Sequence, residues 1–372
     1  MSDERNALRN ELEILTAFDA PVGFEEPVLR YVCEQLATCC DRVEVDVRGN
    51  VYGFQEEGDA GTPLVMLTAH ADEIGFMVTS ITNSGFLRFA RLGQPTPMVL
   101  PGQRVRVLAS GGALEGVIGV QPGHILHGDA ARRVPPDSEL YIDVGATSKE
   151  DAQKWGIEPG TPATFVGPLV ALADGDRVCG KAVDNRAGIV AVLEAARQLR
   201  RCSGLPNRRV FVITVEEEIG LRGAAVATMR AHPDVVLAID TVPAGGTPDV
   251  DPEVLPWAIG NGPLLKVRES RGLSTHGPLR ELTRRVAREL DLPLPTVVDT
   301  AGITDGSSAQ QAGAQIAALV FGLARRYSHS AAEVLDLRDL ETLIRIVVAL
   351  TGRIEDRQQL MRVSLPQTQR NE

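Results

Sequence analysis

Apolar side chains recur at helical spacing over the start of the chain. Leu8, Leu12, Leu15 and Phe18 share one face of residues 4–18, and a second helix is predicted from Glu25 to about Ala37. Pro27 falls in its first turn, where the missing N–H is harmless. The period then shortens. Residues 42–55, RVEVDVRGNVYGFQ, alternate as two strands joined at Gly49-Asn50, and PLVMLTA at 63–69 is a continuous apolar run ending at His70 and Asp72. From Ile74 to about Gly167 the stretches IGFMVTSI, FLRFARL, QRVRVLA, EGVIGV and ELYIDVGA alternate between Gly, Pro, Asn and Ser, the texture of a small all-β sandwich or barrel. One short helix is predicted after Ser148, which with Asp151 has capping-box spacing.

Beyond residue 167 an α/β texture returns, so the pattern predicts a discontinuous α/β domain, 1–73 with 168–372, carrying an inserted β domain at 74–167. Ile189, Val192, Leu193, Ala196 and Leu199 form one stripe of a helix that follows Asp184-Asn185-Arg186. In RRVFVITVEEEIGLRG at 208–223, Val210 to Val215 reads as a buried strand whose C-terminal end bears Glu216, Glu217 and Glu218. A helix near 224–230 and a strand at 235–239 ending in Asp240 come next. Residues 241–278, rich in Pro and Gly, read as a long loop. A helix at 279–290, strands at 295–298 and 316–323, His329 just beyond, and a helix at 339–358 complete the pattern, with the polar tail after Val363 expected to be disordered.

Composition narrows the class. A chain of 372 residues exceeds the size at which one core stops growing, which agrees with two domains. A net charge of -11 argues against nucleic acid, because phosphate binding needs a basic face, and favours cations where carboxylates cluster. No apolar run approaches the roughly 18 residues of a membrane span, and MSDERNALRNELEIL lacks the apolar core of a signal peptide. Cys33, Cys39, Cys40, Cys179 and Cys202 include no C-x-x-C pair, so a reducing cytoplasm is the expected location.

The chemistry sits at the strand ends. His70, Glu218, Asp240 and His329 each lie at or just after one, and Asp184 lies at the mouth of a helix. In open α/β sheets that edge is where ligands bind. Two imidazoles and three carboxylates suit zinc, cobalt or manganese, and five ligands suit two metals sharing one carboxylate. Each residue also has a plainer reading: Asp184 as a helix cap, Asp240 as a turn residue, the histidines as buried core groups, the glutamates as a solvated turn, and Asp72 as an exposed loop acid. His124, His127, His276, Asp305 and Cys179 read as surface, loop, cap and core residues, with a supporting role near the metals open for Asp305.

The segments HADEIGFMV (70–78), GKAVDNRAG (180–188), VEEEIGLRGA (215–224), AID (238–240), GITDG (302–306) and RYSHSAAEV (326–334) resemble the motif series of the M42 metallo-aminopeptidases. GNVYG at 49–53 and IDVGATSKEDAQKWGIEPG at 142–160 extend the likeness into the β insertion. The resemblance implies a mixed-sheet zinc-peptidase domain with helices on both faces and a β insertion that mediates dimerisation. It implies a homo-oligomer, dimers building a tetrahedral dodecamer, that acts on short peptides. It also implies two divalent ions, zinc or cobalt with manganese as an alternative. His70 and Asp240 would bind one, Glu218 and His329 the other, and Asp184 would bridge them. Glu217 matches the general base that activates the bridging water for attack on the first peptide carbonyl, and Asp72 the acid that supports the first histidine. Glu216 stands where the family usually has Gln, Asn185 where a second Asp is common, and TVPAGG at 241–246 departs from a His-Ala-Gly-Asp pattern. The extra charge of Glu216 is expected to raise the pKa of Glu217 or to pair with a substrate amine. An amidase or deacylase using the same water chemistry, and a non-catalytic assembly subunit, are the competing readings.

Overall fold

The computed structural model describes residues 2–58, 61–125, 127–128, 133–313 and 315–363. The tail after Val363, expected to be disordered, lies outside these residues. Two helices, α1 (Asp3–Ala17) and α2 (Glu26–Ala37), precede the strands β1 (Arg42–Val45), β2 (Val51–Gln55) and β3 (Leu64–His70). The β-rich segment follows as β4 (Gly75–Ile81), β5 (Leu87–Leu92), β6 (Arg104–Ala109), β7 (Gly112–Gly119), β8 (Tyr141–Asp143), the helix α3 (Lys149–Lys154) and β9 (Pro162–Phe165). Ser148 caps α3 by accepting from the Asp151 N–H at 3.1 Å. The remainder comprises β10 (Val170–Ala171), β11 (Arg177–Gly180), α4 (Val183–Arg201), β12 (Arg208–Thr214), α5 (Arg222–Ala231) and β13 (Val235–Pro243). It ends with β14 (Leu264–Arg268), α6 (Gly277–Glu289), β15 (Thr296–Val298), α7 (Asp305–Ala312), β16 (Ala317–Arg325), β17 (Glu333–Asp336) and α8 (Leu337–Thr351).

Among the described residues, eight strands form one mixed sheet in the order β1-β2-β12-β3-β13-β16-β14-β15. The four central strands β12, β3, β13 and β16 are parallel, while β2 and β14 flank them antiparallel. Parallel strands covered on both faces need apolar side chains throughout, which is why 64–69 and 210–213 read as unbroken runs. One face packs on α1, α2, α4, α6 and α8 through residues such as Leu12, Leu193, Val286 and Leu343. The other packs on α5 and α7 through Ala227 and Ala309, with Met66, Val212 and Val320 from the strands. This is the expected α/β class with helices on both faces.

The strands β4-β5-β8-β7-β6-β9 close into an antiparallel barrel, one of the two forms the alternating pattern allowed. Its core is separate, built on Phe76, Phe89 and Phe165 in edge-on contact. Two expectations fail. Residues 241–278 are not one loop: β13 runs on to Pro243, and β14 lies at Leu264–Arg268. The last long helix stops at Thr351 with Gly352 as its C-cap, not at Gln358, and Ile354 turns back into the core. Among the described residues no helix is long and apolar enough to cross a membrane.

Candidate metal centre

Because the four central strands run the same way, their C-terminal ends share one edge, and the chain leaves each strand there. His70 ends β3 opposite Thr214, the last residue of β12. Asp240 lies in β13 opposite Gly322 of β16, Glu217 and Glu218 follow β12, and His329 follows β16. Asp184 comes from the first turn of α4, where it and Asn185 depart from helical angles and the peptide between them is cis. Asn185 holds this departure in place: its amide donates to the Ile239 carbonyl at 2.8 Å, and its oxygen accepts from the Gly188 N–H at 3.0 Å.

The five residues converge in two groups. His70 Nε2 lies 3.4 Å from Asp184 Oδ1 and 3.7 Å from Asp240 Oδ1. His329 Nε2 lies 3.4 Å from Asp184 Oδ2 and 3.5 Å from Glu218 Oε1. Within each group the ligand-type atoms are no more than 4.8 Å apart, and Asp184 belongs to both. Each imidazole is set by its other nitrogen. His70 Nδ1 faces the Asp72 carbonyl at 3.2 Å, and His329 Nδ1 faces the Gln94 carbonyl at 2.9 Å. A carbonyl can only accept, so each Nδ1 carries hydrogen and each Nε2 is turned to the carboxylates.

The electrostatics are those of crowded buried acids. Burial, reinforced by Asp240, Glu218 and Asp305, pushes Glu217 well above the usual carboxylate range, and burial with Asp184 pushes Glu218 up to about 8. Burial opposes charge on His70, but Glu217, Asp184, Asp240 and Asp72 outweigh it and hold the ring well above its ordinary value. His329 is raised in the same way to about 9 by Asp184 and Glu218. Asp184 runs the other way: burial would raise it, but Arg325 and the two histidines hold it well below the usual range. Acids raised by burial and, next, by mutual repulsion call for positive charge. Asp184 Oδ1, buried and without a hydrogen-bond partner, is a free donor atom between them. Two imidazole nitrogens with carboxylate oxygens form a donor set that fits zinc, cobalt or manganese.

Asp72 is fully buried and does more than face its histidine. Its Oδ1 accepts from the Glu217 N–H at 3.0 Å and its Oδ2 from the Glu218 N–H at 2.9 Å, while His70 Nδ1 is 3.5 Å away. It therefore clamps the backbone that presents both glutamates. Glu216 departs from expectation. Its carboxylate pairs with Arg48 at 2.7 Å and lies 3.7 Å from Arg222, turned from the centre, and the shift of Glu217 is set by burial and then by Asp240, Glu218 and Asp305.

Two groups at the centre escape a reading by residue type. Arg325, 2% exposed, forms ion pairs with Asp184 Oδ2 at 2.8 Å and with Glu333. Glu333 in turn accepts from the backbone N–H of Asp184 at 3.0 Å and of His329 at 2.8 Å. Glu333 lies within the quoted RYSHSAAEV segment, but Arg325 falls just before it, and the arginine that segment contains is its neighbour Arg326. The barrel also contributes. The Thr96 N–H donates to the His329 carbonyl at 3.0 Å, and a Cβ on Gly93 would lie 3.0 Å from Glu218 Oε2. A cleft of about 840 Å³ opens there, lined by Arg91, Gln94, Thr96, Asp137 and His329. Asp305 is buried against the Thr214 hydroxyl behind the centre, while His276 donates its N–H to Ala318 near the start of β16, at the opposite edge. His124 and His127 are exposed, and Cys179 lies in β11.

Residues 49–346 match the M42 glutamyl aminopeptidase family. A lysyl aminopeptidase of Pyrococcus furiosus is 33% identical over 335 residues, 88% of this chain and 92% of that one. The crystal structure of a TET aminopeptidase from a marine-sediment Thaumarchaeota archaeon superposes with a TM-score of 0.91 at 31% identity, covering 96% of this chain and 99% of that one. Pyrococcus horikoshii TET1 peptidase, described as assembling into a tetrahedron or a large octahedral shell, superposes at 0.81 with 30% identity, covering 92% of this chain and 99% of that one. The likeness runs through both the sheet and the barrel, and on it this chain belongs to the M42 family of metal-dependent aminopeptidases.

Proposed function

We propose that the chain removes N-terminal residues from short peptides using two divalent cations, one at His70 and Asp240, the other at Glu218 and His329, with Asp184 shared between them. The observation that supports this most is the division of Asp184, one oxygen towards each histidine. Zinc or cobalt is the expected metal, with manganese compatible. Bound there, such ions lower the pKa of a water and polarise a carbonyl.

Glu217 is the proposed general base. Its Oε2 lies 4.0 Å from His70 Nε2, at the edge of the cluster, and its raised proton affinity suits a group that takes a proton from water and hands it to the departing amine. Asp72 keeps Glu217 and Glu218 in register through their N–H groups, and the Asp72 carbonyl fixes the tautomer of His70. Burial of the cluster excludes bulk water, which strengthens each of these charge interactions.

We further propose that residues 74–167 act as the dimerisation domain of the catalytic unit 1–73 and 168–372. Dimers would build a closed shell such as that described for the horikoshii peptidase, and the enzyme would work in the cytoplasm.

The test is turnover of metal-loaded protein on free-amine peptides beside N-acylated ones, with Glu217→Gln as the variant. The free-amine series should be cleaved and the acylated series spared, and Glu217→Gln should lose about 10²–10⁴-fold in kcat while still binding metal. Near-normal turnover in that variant removes Glu217 from the mechanism. Preference for the acylated series makes the enzyme a deacylase.

A further inference from the structure

Lys266 and Arg325 are buried cations whose charge reaches the ligand carboxylates of the centre, and they act differently. Lys266 in β14 is held by Glu269 at 2.7 Å and Asp299 at 3.0 Å, so it reaches Asp240 as a through-space field already offset by two acids. Arg325, at the end of β16, makes direct contact. Its Nη2 forms an ion pair with Asp184 Oδ2 at 2.8 Å, the oxygen that faces His329. The oxygen that faces His70, Oδ1, has no hydrogen-bond partner. The two ends of the shared carboxylate are therefore unlike: each faces an imidazole at 3.4 Å, but only Oδ2 also has a guanidinium beside it.

The same asymmetry extends to the other ligands. Arg325 interacts with Glu218 and opposes positive charge on His329, both in one half of the centre, whereas the charges acting on His70 are carboxylates. Nor is the guanidinium free to withdraw. It is 2% exposed and pinned by Glu333, which also accepts from the backbone of Asp184 and His329. Glu333 offsets part of the guanidinium field, but the guanidinium nitrogen still lies 2.8 Å from Oδ2.

We propose that Arg325 makes the two half-sites unequal, so that the half formed by Asp184, Glu218 and His329 binds its divalent cation more weakly than the half formed by His70, Asp184 and Asp240. The guanidinium withdraws donor strength from the oxygen the second cation would use and repels a second positive charge beside it. This rests on the two-cation reading above and adds an order of loading to it: the His70 half fills first, and the His329 half responds to the free metal concentration.

The experiment is a titration of chelator-stripped full-length protein with Co²⁺, followed by calorimetry and by the visible absorption of bound cobalt. The wild-type chain should show two binding events. His70→Ala should remove the tighter event and His329→Ala the weaker. Arg325→Met should tighten the weaker event about tenfold, the scale on which partners of metal ligands tune affinity, and move the tighter event by less than about threefold. Arg325→Gln, which keeps a donor without the charge, should move the same way; it decides the matter alone if circular dichroism shows that the Met variant does not fold. The inference is overturned if the weaker event is unchanged, if both events weaken together, which would make Arg325 a positioning residue for Asp184, or if His70→Ala removes the weaker event. A wild-type chain binding fewer than two ions overturns the two-cation reading itself, a result distinct from two ions bound with affinities indifferent to Arg325.

Discussion

A buried carboxylate that accepts two backbone N–H groups has no spare oxygen, and Asp72 is in that position beneath Glu217 and Glu218. Asp72→Asn leaves one acceptor where two are needed and turns an amide N–H towards a backbone N–H. We expect it to fold, to lose about 10–100-fold in metal affinity or kcat, and to shift both together, as measured by metal titration beside steady-state kinetics. Wild-type values would mean that the clamp is idle. At this scale the sequence exposes the residue types: His70, Asp184, Glu217, Glu218, Asp240 and His329 stand out as polar groups at the ends of apolar runs. Arg325 does not, because an Arg-Arg pair after a strand reads as a solvated terminus. Only its approach to Asp184 and Glu333 makes it a buried group. The direction of Glu216 was equally hidden, since it depends on where Arg48 lies.

Elements are legible where packing imposes one period along them. The parallel strands are apolar on both faces and so announce themselves, and α1, α2 and α4 show one stripe each. Strand β14 does not, because LLKVR places Lys266 in its middle, and a lysine is tolerable in a buried strand only once Glu269 and Asp299 meet it. The start of α8 offers a test at this level. Asp336 caps the helix by accepting from the Arg338 N–H at 3.0 Å and pairs with the Arg338 guanidinium. Burial would raise its pKa, but those contacts and Arg177 lower it below the ordinary value. A depressed native pKa means the carboxylate stabilises the fold above the unfolded value, and that contribution fades as pH falls through the native one. Asp336→Ala should therefore cost about 1–2 kcal/mol at pH 7 by denaturant unfolding. The gap from wild type should narrow below about pH 4, the ordinary aspartate value. A gap that stays constant down to pH 3 would show that the loss is one of packing, not of charge.

For the whole molecule, seven of the described acids, from Asp72 to Glu333, gather around one edge of the sheet, and several are pushed up by burial first and then by one another. Such a cluster is an internal strain that bound cations relieve. Chelation should lower the apparent Tm and added zinc or cobalt should restore it, with about 2.7 kcal/mol per site at a hundred times Kd. A His70→Ala, His329→Ala double variant should lose that response, and an unchanged Tm in the wild type would mean the acids are balanced without metal. The amino-acid sequence by itself determined the α/β and β textures, the positions of most elements and the residue types able to hold a metal, because hydrophobic period and strand ends are local properties. Tertiary structure alone decided that the β segment closes as a barrel, that its Gly93–Thr96 stretch buttresses His329 and Glu218, and that Arg325 takes one oxygen of Asp184. Those outcomes depend on distances of a few ångströms between residues far apart in the chain, and no local pattern encodes them.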